Sequence, residues 1–209
     1  MPVPAQTPAR RRNRRGEGSQ LRAELLDAAL RLLENPDSDG RLSIRSVAAE
    51  AGVAAQSVYL QFADLAALRW AVYERLFDLL AATLSAATGG LADPGAAIGA
   101  WASAYLEFAD SNPARYQAMF GAVGQHQPEW DPGELPGSAV FAGLQQLVTA
   151  NLSRRRGATP DPFSTTICIW ASLHGLASLR ISKPTFPWPA APELTAQLLH
   201  AQLTLEALS

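Results

Sequence analysis

The sequence predicts an all-α protein, and three patterns support that prediction. Apolar residues recur three and four positions apart in nearly every segment, as in Leu21, Leu25, Ala28 and Leu32, which is the spacing of one face of an α-helix. No segment of useful length alternates apolar and polar residues with the period of two that a strand requires. Residues that begin and end helices separate the periodic segments. We therefore expect helices packed on helices.

The N-terminal third of the chain contains three predicted helices, at 19–34, 44–51 and 55–61. The polar run NPDSDG at 35–40 interrupts the chain after the first of them. Ser43 stands in the position of an N-cap for the second helix, because a serine hydroxyl can accept from an unpaired N–H of the first turn. Gly52 follows as a helix-ending glycine.

Six further helices are predicted: 65–88, two that begin at 94 and 113, 138–156, 162–182 and 192–207. Asp64 can cap the first, which stops at Gly89. Three helix starts share one device, an N-cap Asp or Asn followed by proline: Asp93-Pro94, Asn112-Pro113 and Asp161-Pro162. Proline fits the first turn because its missing N–H would be unpaired there in any case. A loop is expected at 121–137 and a stiff, proline-rich connection at 183–192.

Composition and charge restrict the class of protein. Apolar residues make up 48% of the 209 residues, which is enough for a packed core. The net charge is −2, but residues 1–62 hold nine Arg against seven acidic residues, whereas residues 63–209 hold eight Lys or Arg against twelve. The positive charge is concentrated in the run PARRRNRRGEG. We expect residues 1–18 to be a basic disordered arm.

The single cysteine, Cys168, excludes a disulfide framework within one chain, and its apolar neighbours predict a core position. The segment after the arginine run is amphipathic and charged, unlike the smooth apolar core of an export signal. No run reaches the roughly eighteen apolar residues of a membrane helix. We therefore expect a cytoplasmic protein with no membrane segment.

The stretch VAAEAGVAAQSVYLQF (47–62) joins two short helices at Gly52. Val47 and Ala51 lie on one face of the first helix, and Val58 can face them from the second. Glycine can take the positive φ that a tight turn between helices demands. Two interpretations fit this spacing: a helix-turn-helix whose second helix is free to enter a DNA major groove, and an ordinary helical hairpin inside a core.

The neighbours of this joint favour the first interpretation. Residues 19–70 resemble the N-terminal region of the TetR (tetracycline-repressor-like) family of bacterial regulators. The matching positions are Ala28-Ala29-Leu30, Ser43, Val47-Ala48, Ala51-Gly52-Val53, Ser57, Val58-Tyr59, Phe62 and Leu68. The resemblance implies a homodimer with a helix-turn-helix DNA-binding domain at 19–64 and a helical effector-binding and dimerisation domain at 65–209. It also implies a dimer interface formed by the last two long helices.

Seven positions are predicted to contact DNA: Ser43, Arg45, Gln56, Ser57, Tyr59, Arg12 and Arg14. The resemblance implies phosphate contacts for the two serines and the tyrosine. Arg45 can reach the backbone or a guanine edge, and Gln56 can pair with an adenine edge. The alternative for Tyr59 is a core aromatic. The two arginines of the arm either lie in a solvated tail or contact phosphates and the minor groove.

Three residues depart from the family pattern. Leu65 replaces a lysine that in the family touches the DNA backbone, Ala66 replaces the usual Glu, and Gln61 replaces His or Tyr. Loss of the lysine is expected to weaken sequence-independent affinity, for which the arginine arm can compensate. These departures keep a rival function open, namely a helical small-molecule-binding or scaffold protein with a degenerate DNA-binding head.

Aromatic residues at helical spacing occupy 101–120 and 167–179. Such stripes are usually core, but the W…HG pattern with YxxMF upstream resembles a subset of TetR-type C-terminal domains. This resemblance implies a pocket for a small apolar or aromatic effector. Nine residues are predicted to form it: Trp101, Tyr105, Phe108, Tyr116, Met119, Phe120, Phe141, Trp170 and His174. His174 and Tyr105 are its expected polar anchors, and Gly175 is expected to permit close approach of another helix.

The sequence holds no pattern typical of an enzyme. Its histidines, His126, His174 and His200, lack metal-ligand spacing, and there is no glycine-rich phosphate loop and no G-x-S-x-G. We expect no catalytic residue, no metal and no cofactor. The expected function is that of a transcriptional repressor that binds a palindromic double-stranded DNA operator as a homodimer and responds to a small molecule.

Overall fold

A computed structural model describes residues 18–35, 42–120, 136–156 and 160–204. Every regular element in this part of the chain is an α-helix, which confirms the all-α class. The helices are α1 Gly18–Glu34, α2 Ile44–Glu50, α3 Ala55–Tyr59, α4 Leu65–Thr88, α5 Pro94–Ser111, α6 Pro113–Phe120, α7 Ser138–Leu152, α8 Pro162–Ser182 and α9 Ala191–Thr204. None of them combines the length and apolarity that crossing a bilayer requires. Arg12 and Arg14 lie outside the described residues.

All three helices that follow an Asp/Asn-Pro pair begin at the predicted proline, namely Pro94, Pro113 and Pro162. The carboxylates of Asp93 and Asp161 accept from the backbone N–H three residues on, each at 2.8 Å. The side-chain amide of Asn112 instead donates to the Phe108 carbonyl at 3.0 Å. Since α5 continues to Ser111, that amide lies over the last turn of α5, where unpaired carbonyls need donors.

Two predicted helix ends are too long. The helix predicted at 55–61 ends at Tyr59, and the one predicted at 138–156 ends at Leu152. In the second case two arginines bind other elements: Arg154 donates to the Asp93 carboxylate at 2.9 Å and Arg155 to the Leu203 carbonyl at 2.6 Å. These contacts, together with backbone hydrogen bonds of a turn, are formed where the last turn of the helix was predicted.

Helices α1 to α3, here called the head, pack around one small core. The side chains of Leu25, Ala28, Val47 and Val58 are completely buried in it. Because α2 and α3 are far too short to be stable alone, this shared core holds them in place. The first residues of α4 complete it through Leu68.

Helices α4 to α9, here called the body, surround α5. Helix α5 contacts α4, α6, α7, α8 and α9, and much of its length is sealed from solvent, as at Ile98, Ala102 and Leu106. The head rests on this body where α1 meets α4 and α6. At that junction Arg115 on α6 forms an ion pair with Glu34 at the end of α1, with 2.7 Å between Nε and Oε1.

Candidate functional site

The joint between α2 and α3 is a tight, glycine-dependent turn. Gly52 has a φ of 66°, in the left-handed region that favours glycine. Its N–H donates to the Ala49 carbonyl at 3.1 Å, and the N–H of Val53 donates to Ala48 at 2.9 Å. This pair of bonds is the Schellman helix ending. It turns the chain sharply, so that α3 begins after only two more residues.

The start of α2 is fixed by a reciprocal pair of serines. The Ser46 N–H donates to the Ser43 hydroxyl at 3.0 Å, and the Ser43 N–H donates to the Ser46 hydroxyl at 3.0 Å. This capping box confirms Ser43 as the N-cap. The Ser43 hydroxyl also donates to Ser46 Oγ at 2.9 Å, so a phosphate would have to compete for it.

The side chains of α2 and α3 that are predicted to contact DNA lie outside the buried core. Arg45 and Gln56 are exposed, Ser57 is half-buried, and 52% of Tyr59 is exposed. The alternative of a core position for Tyr59 is therefore wrong. Gln56 and Tyr59 are three residues apart on α3 and share one face of it. This face is available to a groove or to another molecule.

Three arginines outside the N-terminal arm tie the short helices together. Arg22 on α1 donates to the Gln61 carbonyl at 3.1 Å, and its guanidinium lies 4.4 Å from the centre of the Phe62 ring. Arg31 pairs with Glu50 at the end of α2, and Arg69 on α4 donates to Leu42 just before α2. These contacts were not predicted from the sequence, in which their only signal is the presence of arginines on amphipathic helices.

In the body, two tyrosines and a histidine form a hydrogen-bonded row. The hydroxyls of Tyr105 and Tyr116 are 2.9 Å apart, and the Tyr116 hydroxyl lies 2.7 Å from His174 Nδ1. We call this row the hydroxyl relay. It joins α5, α6 and α8, and Tyr105 and Tyr116 are buried. Buried polar groups are tolerated when they bond to one another in this way.

Burial keeps the hydroxyl relay uncharged near neutral pH. It raises the pKa of Tyr105 to about 12, and it raises the pKa of Tyr116 further, with the neighbouring Tyr105 adding to the effect. Burial also lowers the pKa of His174 below its ordinary value. The imidazole is thus neutral at pH 7, and both phenols keep their protons.

A cavity of about 200 Å³ opens beside the hydroxyl relay. The part of the chain described here lines it with Tyr116, Gln117, Phe120, His174, Ser178 and Ile181. Three of these residues were predicted for the effector site. The other three were missed, although Ser178 and Ile181 continue the four- and seven-residue spacing that starts at His174.

A comparison with protein families decides what kind of molecule this is. The family model described as tetracyclin repressor-like, C-terminal domain, matches residues 98–203, just over half of the chain. That range holds the whole hydroxyl relay and the cavity. The chain belongs to the tetracyclin repressor-like family of transcriptional regulators.

Individual relatives agree with the family. An uncharacterised HTH-type transcriptional regulator of Mycobacterium tuberculosis is 28% identical over 162 residues, which cover 77% of this chain and 70% of the relative. A solved protein of unknown function from Rhodococcus sp. RHA1 superposes with a TM-score of 0.72 at 27% identity, over 87% of this chain and 92% of that one.

Two further solved structures have the same fold and are described as complexes with a ligand. The regulator FadR of Bacillus subtilis, in complex with stearoyl-CoA, superposes with a TM-score of 0.65 at 12% identity, over 87% of this chain and 97% of that one. RolR in complex with resorcinol has a TM-score of 0.60 at 16% identity, over 93% and 92%. At this identity the likeness establishes the fold alone.

The remaining predicted effector residues lie in three other places. Trp101 stacks on Tyr105 with 5.4 Å between ring centres, and both are buried behind the cavity with Met119. Phe108 borders a second cavity of about 300 Å³ between α4, α5 and α6. Phe141 and Trp170 meet between α7 and α8 with ring centres 6.1 Å apart, and the Trp170 ring also lies 6.2 Å from that of His174.

Two predictions for residues of α8 are wrong for the contacts that this chain makes with itself. Cys168 is exposed rather than part of the core, because it lies on the side of α8 that faces away from α5, α7 and α9. A Cβ added to Gly175 would meet nothing within 4 Å, so no helix of the described chain approaches it closely. Both residues belong to the outer face of α8.

Proposed function

We propose that this chain is a DNA-binding repressor whose α2–α3 unit reads a palindromic operator and whose cavity beside the hydroxyl relay takes a small effector. One observation supports the DNA-binding part most strongly. Gln56 and Arg45 project from two short helices that Gly52 joins and that arginines brace from α1 and α4. A rigid support for exposed donors is what base recognition in a major groove requires.

The outer face of α8 supports the proposal of a homodimer. Phe163, Ile167 and Trp170 lie at positions i, i+4 and i+7 of that helix, and each is exposed by more than a third of its surface. A row of apolar side chains of this kind on a folded chain marks an interface. We propose that α8 and α9 of two chains pack together there and set the two recognition helices about 34–36 Å apart.

The effector part rests on the cavity. It combines aromatic walls with a few polar atoms that point toward one place, which is the usual composition of a small-molecule site. Resorcinol in RolR and stearoyl-CoA in FadR are ligands of very different size on this fold. A volume of about 200 Å³ favours a molecule of the size of resorcinol, since an apolar cavity of about 150 Å³ holds one benzene.

Two contacts can couple the cavity to the head. On α6, Tyr116 lines the cavity while the adjacent Arg115 pairs with Glu34 of α1. Phe120, also in the lining, packs edge-on against Phe77 of α4, with ring centres 5.6 Å apart. We propose that the effector shifts an equilibrium between two head positions through these contacts, by as much as its affinities for the two states differ.

Selection of bound fragments from random double-stranded DNA tests the proposed function. We expect a palindromic site with its half-sites about one helical turn apart. A mobility shift at low salt with the selected fragment should appear at dimer stoichiometry. No enrichment and no shift at low salt would instead support a small-molecule-binding protein with a degenerate head.

Deleting residues 1–16 tests the arginine arm separately. If the arm contacts phosphates, the slope of log affinity against log salt should become shallower by about 0.9 for each phosphate that the arm neutralises. A slope identical to that of the full chain would show that the arm takes no part in DNA binding.

Substitution of Arg115 tests the proposed coupling. Arg115→Ala breaks the ion pair between α6 and α1, whereas the control Arg154→Ala breaks an exposed pair with Asp93 that lies entirely within the body. The change in operator affinity caused by a bound effector should shrink only in the first variant. Equal effector responses in both variants and the wild type would exclude this route.

A further inference from the structure

The walls of the cavity determine the size of its ligand. Tyr116, Phe120 and His174 present ring surfaces, with the His174 and Phe120 ring centres 4.6 Å apart. A flat molecule can therefore lie against at least one aromatic face. About 200 Å³ accommodates one six-membered ring with a substituent of a few atoms.

The hydroxyl relay determines which polar groups face that ligand. His174 Nδ1 lies 2.7 Å from the Tyr116 hydroxyl, which in turn lies 2.9 Å from the Tyr105 hydroxyl. Nε2 is therefore the ring nitrogen left for a hydrogen bond to a molecule in the cavity. A neutral imidazole donates or accepts at Nε2 according to its tautomer.

The charge of the cavity lining is the third determinant. All six lining residues in the described chain are uncharged once His174 is neutral. The nearby guanidinium of Arg180 is held by Asp110 through two bonds, Nε to Oδ1 at 3.0 Å and Nη2 to Oδ2 at 2.7 Å. A charged ligand would lose its water without gaining a partner of opposite charge, which is costly.

We propose that the cavity takes an uncharged planar molecule of one six-membered ring with a neutral hydrogen-bonding group, such as an aromatic amide or a phenol, and rejects charged analogues of the same shape. The neutral group hydrogen-bonds to Nε2 of His174, and the ring lies against Phe120 and Tyr116. This inference rests on the proposed effector site and narrows it to one chemical class.

Three molecules of nearly the same shape test it: benzamide, benzoate and benzamidinium, which carry charges of zero, minus one and plus one. Their binding to the full-length protein is measured by titration calorimetry at pH 7. We expect benzamide to bind at least about tenfold more tightly than either ion. Tighter or equal binding of benzoate or benzamidinium, or no binding of benzamide at millimolar concentration, would overturn the proposal.

A pair of tyrosine variants tests the hydroxyl relay. Tyr116→Phe keeps the ring and removes the hydroxyl that holds His174, whereas Tyr73→Phe removes a hydroxyl of α4 outside the cavity lining. Benzamide affinity should fall about tenfold in the first, the size of one hydrogen bond, and stay unchanged in the second. No loss of affinity in Tyr116→Phe, or an equal loss in both, would contradict the relay.

A mobility shift with the selected DNA fragment, with and without benzamide, separates the two proposals. Selective binding of benzamide supports the ligand class whether or not operator affinity changes. Operator affinity that stays constant despite that binding would contradict the effector role of the cavity alone. An effect of benzoate on operator affinity without any effect of benzamide would overturn the ligand class and leave the regulator proposal intact.

Discussion

The head and the body of this protein are held together by different means. In the head, exposed or partly buried arginines reach from one helix to the backbone or side chains of the next, as Arg22 does to Gln61. In the body, the corresponding links are buried aromatic side chains and shared hydroxyl hydrogens, as between Tyr105 and Tyr116. The head therefore keeps its apolar core small and its polar groups outside, where DNA can reach them. The body keeps its polar groups inside, where only a small molecule can reach them.

The largest difference is expected between two of the glycines with a positive φ, Gly137 in the body and Gly52 in the head. Gly137 in the body has a φ of 93°, and a Cβ there would lie 2.5 Å from the Phe77 ring. Gly137→Ala combines a left-handed conformation with overpacking, so we expect a loss of about 2–4 kcal/mol in the free energy of unfolding. Urea denaturation measures this change.

Gly143 in α7 is the control for that variant, because a Cβ there meets nothing within 4 Å and its φ is not positive. Gly143→Ala should raise stability by about 0.5–1 kcal/mol. A Gly137→Ala variant as stable as the wild type would show that Phe77 moves aside without cost.

The next largest difference in stability is expected between substitutions of an arginine in the body and of one in the head. Arg180 in the body is 17% exposed at its side chain and bonds Asp110 through both nitrogens of one edge, whereas Arg31 in the head is 54% exposed. We expect Arg180→Gln to cost about 1.5–3 kcal/mol. Arg31→Gln should cost less than about 1 kcal/mol, and high salt should remove even that difference. If urea denaturation gave equal losses in the free energy of unfolding for the two variants, the proposed difference between head and body would be contradicted.

The effect at Gly52 in the head is expected to be smaller than that at Gly137. Its φ is positive, but an added Cβ would meet nothing within 4 Å. Gly52→Ala should therefore cost only the conformational term, about 1–2 kcal/mol, and the destabilisation should appear as faster hydrogen exchange in α2 and α3. A cost as large as that of Gly137→Ala would mean that the turn is packed more tightly than its geometry shows.

The sequence predicted the features that depend on neighbours in the chain. Ser43, Asp64 and Gly52 take the cap and turn positions expected of them, since each acts on residues no more than four away. The helix end at Leu152 was mispredicted because a contact of longer reach intervened: Arg154 binds Asp93, 61 positions away, instead of continuing α7.

The candidate effector site was only partly predictable for the same reason. Aromatic residues at helical spacing identified α5, α6 and α8, but spacing along one helix does not tell which side chains of different helices meet. Tyr116 and His174 are 58 positions apart, and their contact depends on how α6 packs on α8. The resemblance to TetR-type C-terminal domains therefore indicated His174 as a polar anchor, but with Tyr105, not Tyr116, as the second anchor.

The affinity of three proteins for the selected DNA fragment tests the central claim most directly: the wild type, Gln56→Ala in the head and Gln146→Ala in the body, both exposed glutamines on helices. If Gln56 reads a base, its substitution should weaken binding about 5- to 150-fold, or about 1–3 kcal/mol, with relaxed preference at one base pair of each half-site. Gln146→Ala should bind like the wild type. Equal affinity of all three proteins would contradict the assignment of α3 as the recognition helix.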